Sequence, residues 1–129
     1  MVTILFVCIE NSNRSQMAEA FAKIHSGKNV NAFSAGSKPS GKINPKAIEA
    51  MNLIDYDLTK HKSKSLDEFR ETELDYVITM GCGDACPFIR AKNRQDWDIQ
   101  DPRDLSMKEF IAVRNLIESK VKLLMRELE

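Results

Sequence analysis

The sequence predicts an α/β domain of three layers, α/β/α, with helices on both faces of a four-stranded parallel sheet. Three observations predict it. Strand-length apolar runs alternate with stretches of helical periodicity along the 129 residues. No internal repeat, low-complexity tract or linker interrupts them, so 1–129 reads as one domain. Cysteines fall just past the first and third strand candidates, where an open parallel sheet with right-handed crossovers places its ligand site.

Thr3 to Val7 is a continuous aliphatic run of strand length. Ser15 to His25 then repeats apolar residues at Met17, Ala20, Phe21 and Ile24, one helical face. Val30 to Ser34 is the second strand candidate, and Gly36 to Gly41, with Pro39, is loop. Asn44 before Pro45 marks the N-cap and first turn of a helix reaching Met51. Ser65 and Glu68 have capping-box spacing ahead of a short helix. Tyr76 to Met80 is the third strand, stopped by Gly81 and Gly83, and Trp97 to Ile99 is a weak fourth. Ser106 with Glu109 caps a last helix whose apolar face runs Phe110, Val113, Ile117, Val121, Leu124 and Leu128.

Composition narrows the function. With 19 basic and 19 acidic residues, the chain has no overall field to hold nucleic acid or an anionic membrane. An anion site must be local. The run Val2 to Ile9 lacks a basic lead, is too short for a membrane span and is followed by no cleavage pattern, so it reads as a buried strand of a cytoplasmic protein. Three cysteines in a reducing compartment cannot form a structural framework. Catalysis, redox cycling and metal binding remain.

Cys8-Ile9-Glu10-Asn11-Ser12-Asn13-Arg14-Ser15 sets a thiol at the end of a strand and a guanidinium at the start of a helix. So short a loop can turn its backbone N–H groups inward around a tetrahedral oxyanion. The helix terminus adds partial positive charge, and Arg14 offers a planar two-pronged donor. The same donors favour an ionised sulfur, so Cys8 is expected to act as a thiolate. Asn11 and Ser15 can steady the loop or the sulfur, Ser15 from the N-cap position. The alternative for Cys8 is a small buried hydrophobe ending a strand.

On these residues the chain resembles the low-molecular-weight protein tyrosine phosphatases. Val7 through Ala20 is similar to their phosphate-binding loop and first helix, and Asp101-Pro102 to their general-acid dipeptide. The resemblance implies strand order 2-1-3-4 and an Asp101 that protonates the leaving oxygen. Read alone, Asp101 would be a turn aspartate before proline. Thr79 through Pro87, with Cys82 and Cys86, resembles the redox segment of the three-cysteine, thioredoxin-coupled arsenate reductases that share this scaffold. Ser34-Ala35-Gly36, Asn44-Pro45, His61 and Trp97 through Pro102 extend the likeness over nearly the whole chain.

That second resemblance implies a thiol relay from Cys8 to Cys82 to Cys86, arsenate as substrate, phosphate or sulfate as mimics, a thioredoxin-like electron donor, no tightly bound cofactor and a monomer. The alternatives are a phosphomonoesterase, idle loop thiols at Cys82 and Cys86, or a metal site with Cys8 or His61. Only three residues separate Cys82 from Cys86, fewer than in the best-known reductases. On an ideal helical turn their Cβ atoms would be about 5–6 Å apart, against roughly 3.5–4.5 Å in a disulfide, so this segment must leave helical geometry when oxidised. Gly81 and Gly83 give it that freedom. Eukaryotic-type phosphatases of this scaffold place tyrosines after the acid; here Arg103 and Asp104 follow, which suits a free inorganic oxyanion.

Asn11, Glu19 and Ser34 match positions that hold potassium in some related reductases. Lys64 stands where a further acidic ligand would be, so its ammonium is expected to take the cation's place or, alternatively, to be a solvated surface charge. His61 reads as structural or as orienting the catalytic face, and Trp97 as core or sheet edge. Arg90, Lys92 and Arg94 read as a solubilising cluster.

Overall fold

The computed structural model describes residues 1–27, 29–81 and 89–128. In chain order they form β1 (Val2–Cys8), α1 (Arg14–His25), β2 (Val30–Gly36), α2 (Pro45–Asn52), 3₁₀ turns at Leu58–Lys60 and Leu66–Phe69, β3 (Tyr76–Thr79), β4 (Asn93–Asp96) and α3 (Met107–Glu127). All four strands are parallel, in the order β2-β1-β3-β4 that the resemblance implied.

β1 lies inside the sheet and is buried on both sides, which is why it is apolar without alternation. Ile4, Phe6 and Cys8 point into one cluster, and Leu5 and Val7 into the other. The first cluster takes Met17, Ala18 and Phe21 from α1, Ala47 and Met51 from α2, and Phe110, Ile117 and Val121 from α3. Each large side chain there contributes about 1.5–3 kcal/mol by leaving water. The second cluster is closed by Leu66 and Phe69 of a 3₁₀ turn, with Leu74 and Ile89. Register sets Cys8 opposite Gly36 and Val7 opposite Thr79, so the carboxyl ends of β1, β2 and β3 meet at one edge.

The caps show why the helices begin where they do. The Asn44 side chain accepts from Lys46 N–H at 2.9 Å, with Pro45 in the first turn of α2. Ser106 Oγ accepts from Glu109 N–H at 3.2 Å and donates to Glu109 Oε1 at 2.9 Å, opening α3. The expected apolar face of α3 is buried from Phe110 through Leu124, with Leu128 half-buried. Among the described residues no helix is long and apolar enough to cross a membrane.

Four expectations are corrected. The fourth strand is Asn93–Asp96, not Trp97 to Ile99. Among the described residues it is a polar edge strand paired with β3 alone, so it carries no apolar run. Trp97 continues the ladder by donating its N–H to Thr79 O at 2.8 Å, and its ring sits 5.9 Å from that of Phe6, in the core. Ser65 caps a 3₁₀ turn by accepting from Asp67 N–H at 3.1 Å, so no box with Glu68 forms. Ile24, placed on the buried face of α1, is exposed near the helix end. Finally, Asn13 rather than Ser15 occupies the N-cap of α1 and makes no side-chain cap bond.

Candidate active site

The loop between β1 and α1 folds back tightly. Asn11 takes the left-handed conformation, φ 52°, which asparagine tolerates better than most residues. Gly36 makes room behind it, because a Cβ there would fall 2.5 Å from Ile9 O and 2.9 Å from Asn11 N. Lys38 N–H donates to Ile9 O at 2.8 Å and Ser40 N–H to Glu10 O at 3.1 Å, tying the loop to the segment after β2.

Ser15, displaced from the cap into the first turn, turns its hydroxyl on the thiol: Ser15 Oγ lies 2.8 Å from Cys8 Sγ. The hydroxyl has a second partner. Asn11 Nδ2 donates to Ser15 Oγ at 2.8 Å, and a hydroxyl that accepts this bond still has its proton to offer an ionised sulfur. Asn11 Oδ1 accepts from Gln16 Nε2 at 2.9 Å and from Lys64 N–H at 2.7 Å. Gln16 Oε1, an obligate acceptor, accepts from His61 Nδ1–H at 3.0 Å, and on a neutral ring His61 Nε2 then accepts from Tyr56 OH at 2.7 Å. His61 is neutral near pH 7. Burial holds its pKa down to about 4, and burial likewise lifts Tyr56 to about 12.

Arg14 is buried and fixed from two sides. Nη1 donates to Ile99 O at 3.0 Å, and Nη2 stands 3.8 Å from Asp101 Oδ2. Gly81, at φ +80°, passes so close that a Cβ would lie 2.7 Å from Arg14 Nη1. Cys8, Ile9, Glu10, Ser12, Asn13, Arg14, Asp101 and Arg103 line one cavity of about 240 Å³. A sulfur nucleophile, a fixed guanidinium and a carboxyl group thus face one small space. That set can attack a tetrahedral oxyanion, stabilise its charge and protonate a departing oxygen.

Asn11, Glu19 and Ser34 do not fit a potassium ion. Ser34 Oγ donates to Glu19 Oε1 at 2.5 Å, and Lys23 Nζ bonds Glu19 Oε2 at 2.6 Å. Lys64 Nζ stands 3.6 Å from Glu19 Oε1, and both acceptor contacts of Asn11 Oδ1 are to N–H groups. Burial pushes the Glu19 carboxyl up, but the bonds from Lys23 and Ser34 and the charge of Lys64 outweigh it and hold the group below its usual range. Among the described residues no cluster of three His, Cys, Asp or Glu side chains could hold a metal. Cys82, Gly83 and Cys86 lie outside the described residues; of those described, Cys8 is unpaired.

Sequence reasoning missed Gln16, the role of Gly81 toward Arg14, and the pairing of Glu10 with Arg103. An amide two residues after the loop arginine is the one signal in the sequence that points to Gln16. Nothing local points to partners 45 or 93 residues away.

Residues 3–129 match the family described as low molecular weight phosphotyrosine protein phosphatase. Arsenate reductase 2 of Staphylococcus saprophyticus subsp. saprophyticus is 41% identical over 124 residues, 93% of each chain. A solved structure described as an arsenate reductase in the phosphate binding state superposes with a TM-score of 0.90 at 32% identity, over 100% of both chains. The Corynebacterium glutamicum thioredoxin-dependent arsenate reductase superposes with a TM-score of 0.80 at 32% identity, covering 98% of this chain and 61% of that one.

Proposed function

The chain belongs to the low molecular weight phosphotyrosine protein phosphatase family, and from that footing we propose that it is an arsenate reductase with Cys8 as its nucleophile. The observation that carries the reading is the Cys8 sulfur at the end of β1, bonded by Ser15 and sharing a cavity with Arg14 and Asp101. The residues of that cavity meet the needs of an oxyanion. Arg14 and the loop from Cys8 to Ser15 hold it, and the sulfur bonds to arsenic while one oxygen departs as water with the help of a proton from Asp101.

Reduction then needs electrons. Cys82 thiolate attacks the Cys8 sulfur; the S–As bond breaks, its electron pair stays on arsenic and arsenite leaves, so As(V) becomes As(III) as two thiols become one disulfide. Cys86 attacks Cys82, which frees Cys8 and moves the disulfide to Cys82 and Cys86. A thioredoxin-like dithiol reduces that pair. No resident cofactor is involved. Lys64 and Lys23 compensate Glu19 in place of a potassium ion. Substituting potassium for sodium at constant ionic strength therefore leaves turnover unchanged, and a rise specific to potassium would remove this assignment.

Cys8, Arg14 and Asp101 would also suffice for a phosphomonoesterase, so the relay is the point to test. Cys82→Ser is expected to abolish arsenate turnover coupled to thioredoxin and its reductase while preserving any hydrolysis of p-nitrophenyl phosphate. Cys8→Ser abolishes both. Unchanged arsenate turnover in Cys82→Ser would sink the relay, and faster ester hydrolysis than arsenate reduction in the parent chain would make it a phosphatase.

A further inference from the structure

An acidic residue inside an anion-binding loop is electrostatically out of place. Glu10 sits two positions after Cys8 and lines the same cavity, where its charge repels any oxyanion. Its carboxylate is occupied. Arg103 Nη1 donates to Glu10 Oε1 at 3.2 Å and Oε2 at 3.3 Å. Arg103 belongs to the loop that carries the acid, and its own N–H donates to Asp101 Oδ1 at 3.0 Å. Asp101 Oδ2 in turn faces Arg14 Nη2 at 3.8 Å. Charges of alternating sign therefore ring the opening above Cys8: Glu10, Arg103, Asp101, Arg14.

The Glu10 end of the pair is anchored, since Ser40 N–H at 3.1 Å and Ser63 Oγ at 3.0 Å both donate to Glu10 O. From there the side chain reaches across the gap between the nucleophile loop and the acid loop. We infer that Glu10 and Arg103 form a specificity clasp that admits free tetrahedral oxyanions and disfavours those bearing an organic substituent. This rests on the reading of the site as an inorganic oxyanion reductase and names the residues that make it selective.

The argument is one of shape and charge. A free oxyanion has no group to accommodate beyond the cradle. An ester must send its substituent out past the rim beside Asp101, because the oxygen that Asp101 would protonate is the one that carries it, and a phosphonate sets its carbon substituent in that oxygen's place. There the clasp joins the two loops, and the guest must part an ion pair or crowd it. Both side chains are partly solvent-exposed, 53% for Arg103 and 38% for Glu10, so parting them is a modest obstacle. Exposed pairs of this kind limit the discrimination to about fivefold.

Calorimetric titration of the thiol-reduced chain with inorganic phosphate and with phenylphosphonate tests the clasp without depending on turnover. In Arg103→Ala and in Glu10→Gln the ratio of the phenylphosphonate Kd to the phosphate Kd is expected to fall about fivefold. The double variant should fall no further than either single one, and Arg103→Lys should keep the parental ratio. Affinities for both ligands that move by one common factor would overturn the inference, as would a double variant equal to the product of the singles. An arsenate assay on the same proteins reports separately: a parent chain inert to arsenate refutes the reductase, whereas the phosphonate ratio still decides the clasp.

Discussion

His61 is a side chain whose burial disfavours its charged form. Its ring donates to Gln16 and accepts from Tyr56, a pattern that a doubly protonated imidazolium cannot make. Because its pKa is about 4 in the folded chain and ordinarily 6.5, the unfolded chain takes up a proton first as pH drops. The stabilisation is complete above pH 6.5 and is lost on the way to pH 4, by ~3 kcal/mol at most. Urea unfolding at pH 7 and at pH 4.5 should show the parent chain losing more stability than His61→Gln, which has no proton to gain there. Equal losses would mean that the ring does not need to stay neutral. At this scale Cys8 and Arg14 stand out in the sequence because a strand, a short loop and a helix frame them, and Asp101 stands out only through the resemblance of Asp101-Pro102 to a general-acid dipeptide. Gln16 and the pairing of Glu10 with Arg103 do not, since the partners lie far along the chain and only folding brings them near.

The end of β3 shows how one element serves another. Gly81 follows the last residues of the strand in the left-handed region and lets the backbone slide beneath the Arg14 guanidinium. Gly81→Ala adds a methyl to a conformation that disfavours it and drives Arg14 aside. It should destabilise the chain by roughly 1–3 kcal/mol and weaken phosphate binding about tenfold or more, measured by denaturation and calorimetry. Unaltered phosphate affinity would separate Gly81 from the guanidinium. Sequence periodicity found β1, α1, α2 and α3 because burial on one or both faces writes itself into residue type. It missed β4, whose exposed edge position asks for pairing with Thr79 and its neighbours but for no apolar side chain. The helix cap of α1 was misassigned for a related reason: the loop reserves Ser15 for the sulfur, and a rule about caps cannot know that.

On the scale of the whole molecule, a chain of no net charge brings Cys8, Arg14 and Asp101 to one cavity at the carboxyl ends of its strands, where the proposed function places the anion. Ligand capture there should be felt throughout a domain of this size. At 100 times its Kd, phosphate is expected to stabilise the fold by ~2.7 kcal/mol and raise Tm by about 10 °C. Scanning calorimetry with and without phosphate at matched ionic strength checks this, and the absence of a shift would show that the cradle does not hold tetrahedral dianions. The fold class and strand order were readable in advance because alternation and the resemblance agree. The second sheet face was less so: among the described residues a 3₁₀ turn and two flanking apolar residues suffice to cover Leu5 and Val7.

Ile99 O and Asp101 hold Arg14 through contacts that the fold itself supplies. The guanidinium is a long, rotamer-rich group, and immobilising such a side chain on binding costs about 0.5–1.5 kcal/mol. Here that ordering is completed while the chain folds, so successive guests meet a finished receptor, and association should be governed by diffusion and desolvation instead of by a search through arginine conformations.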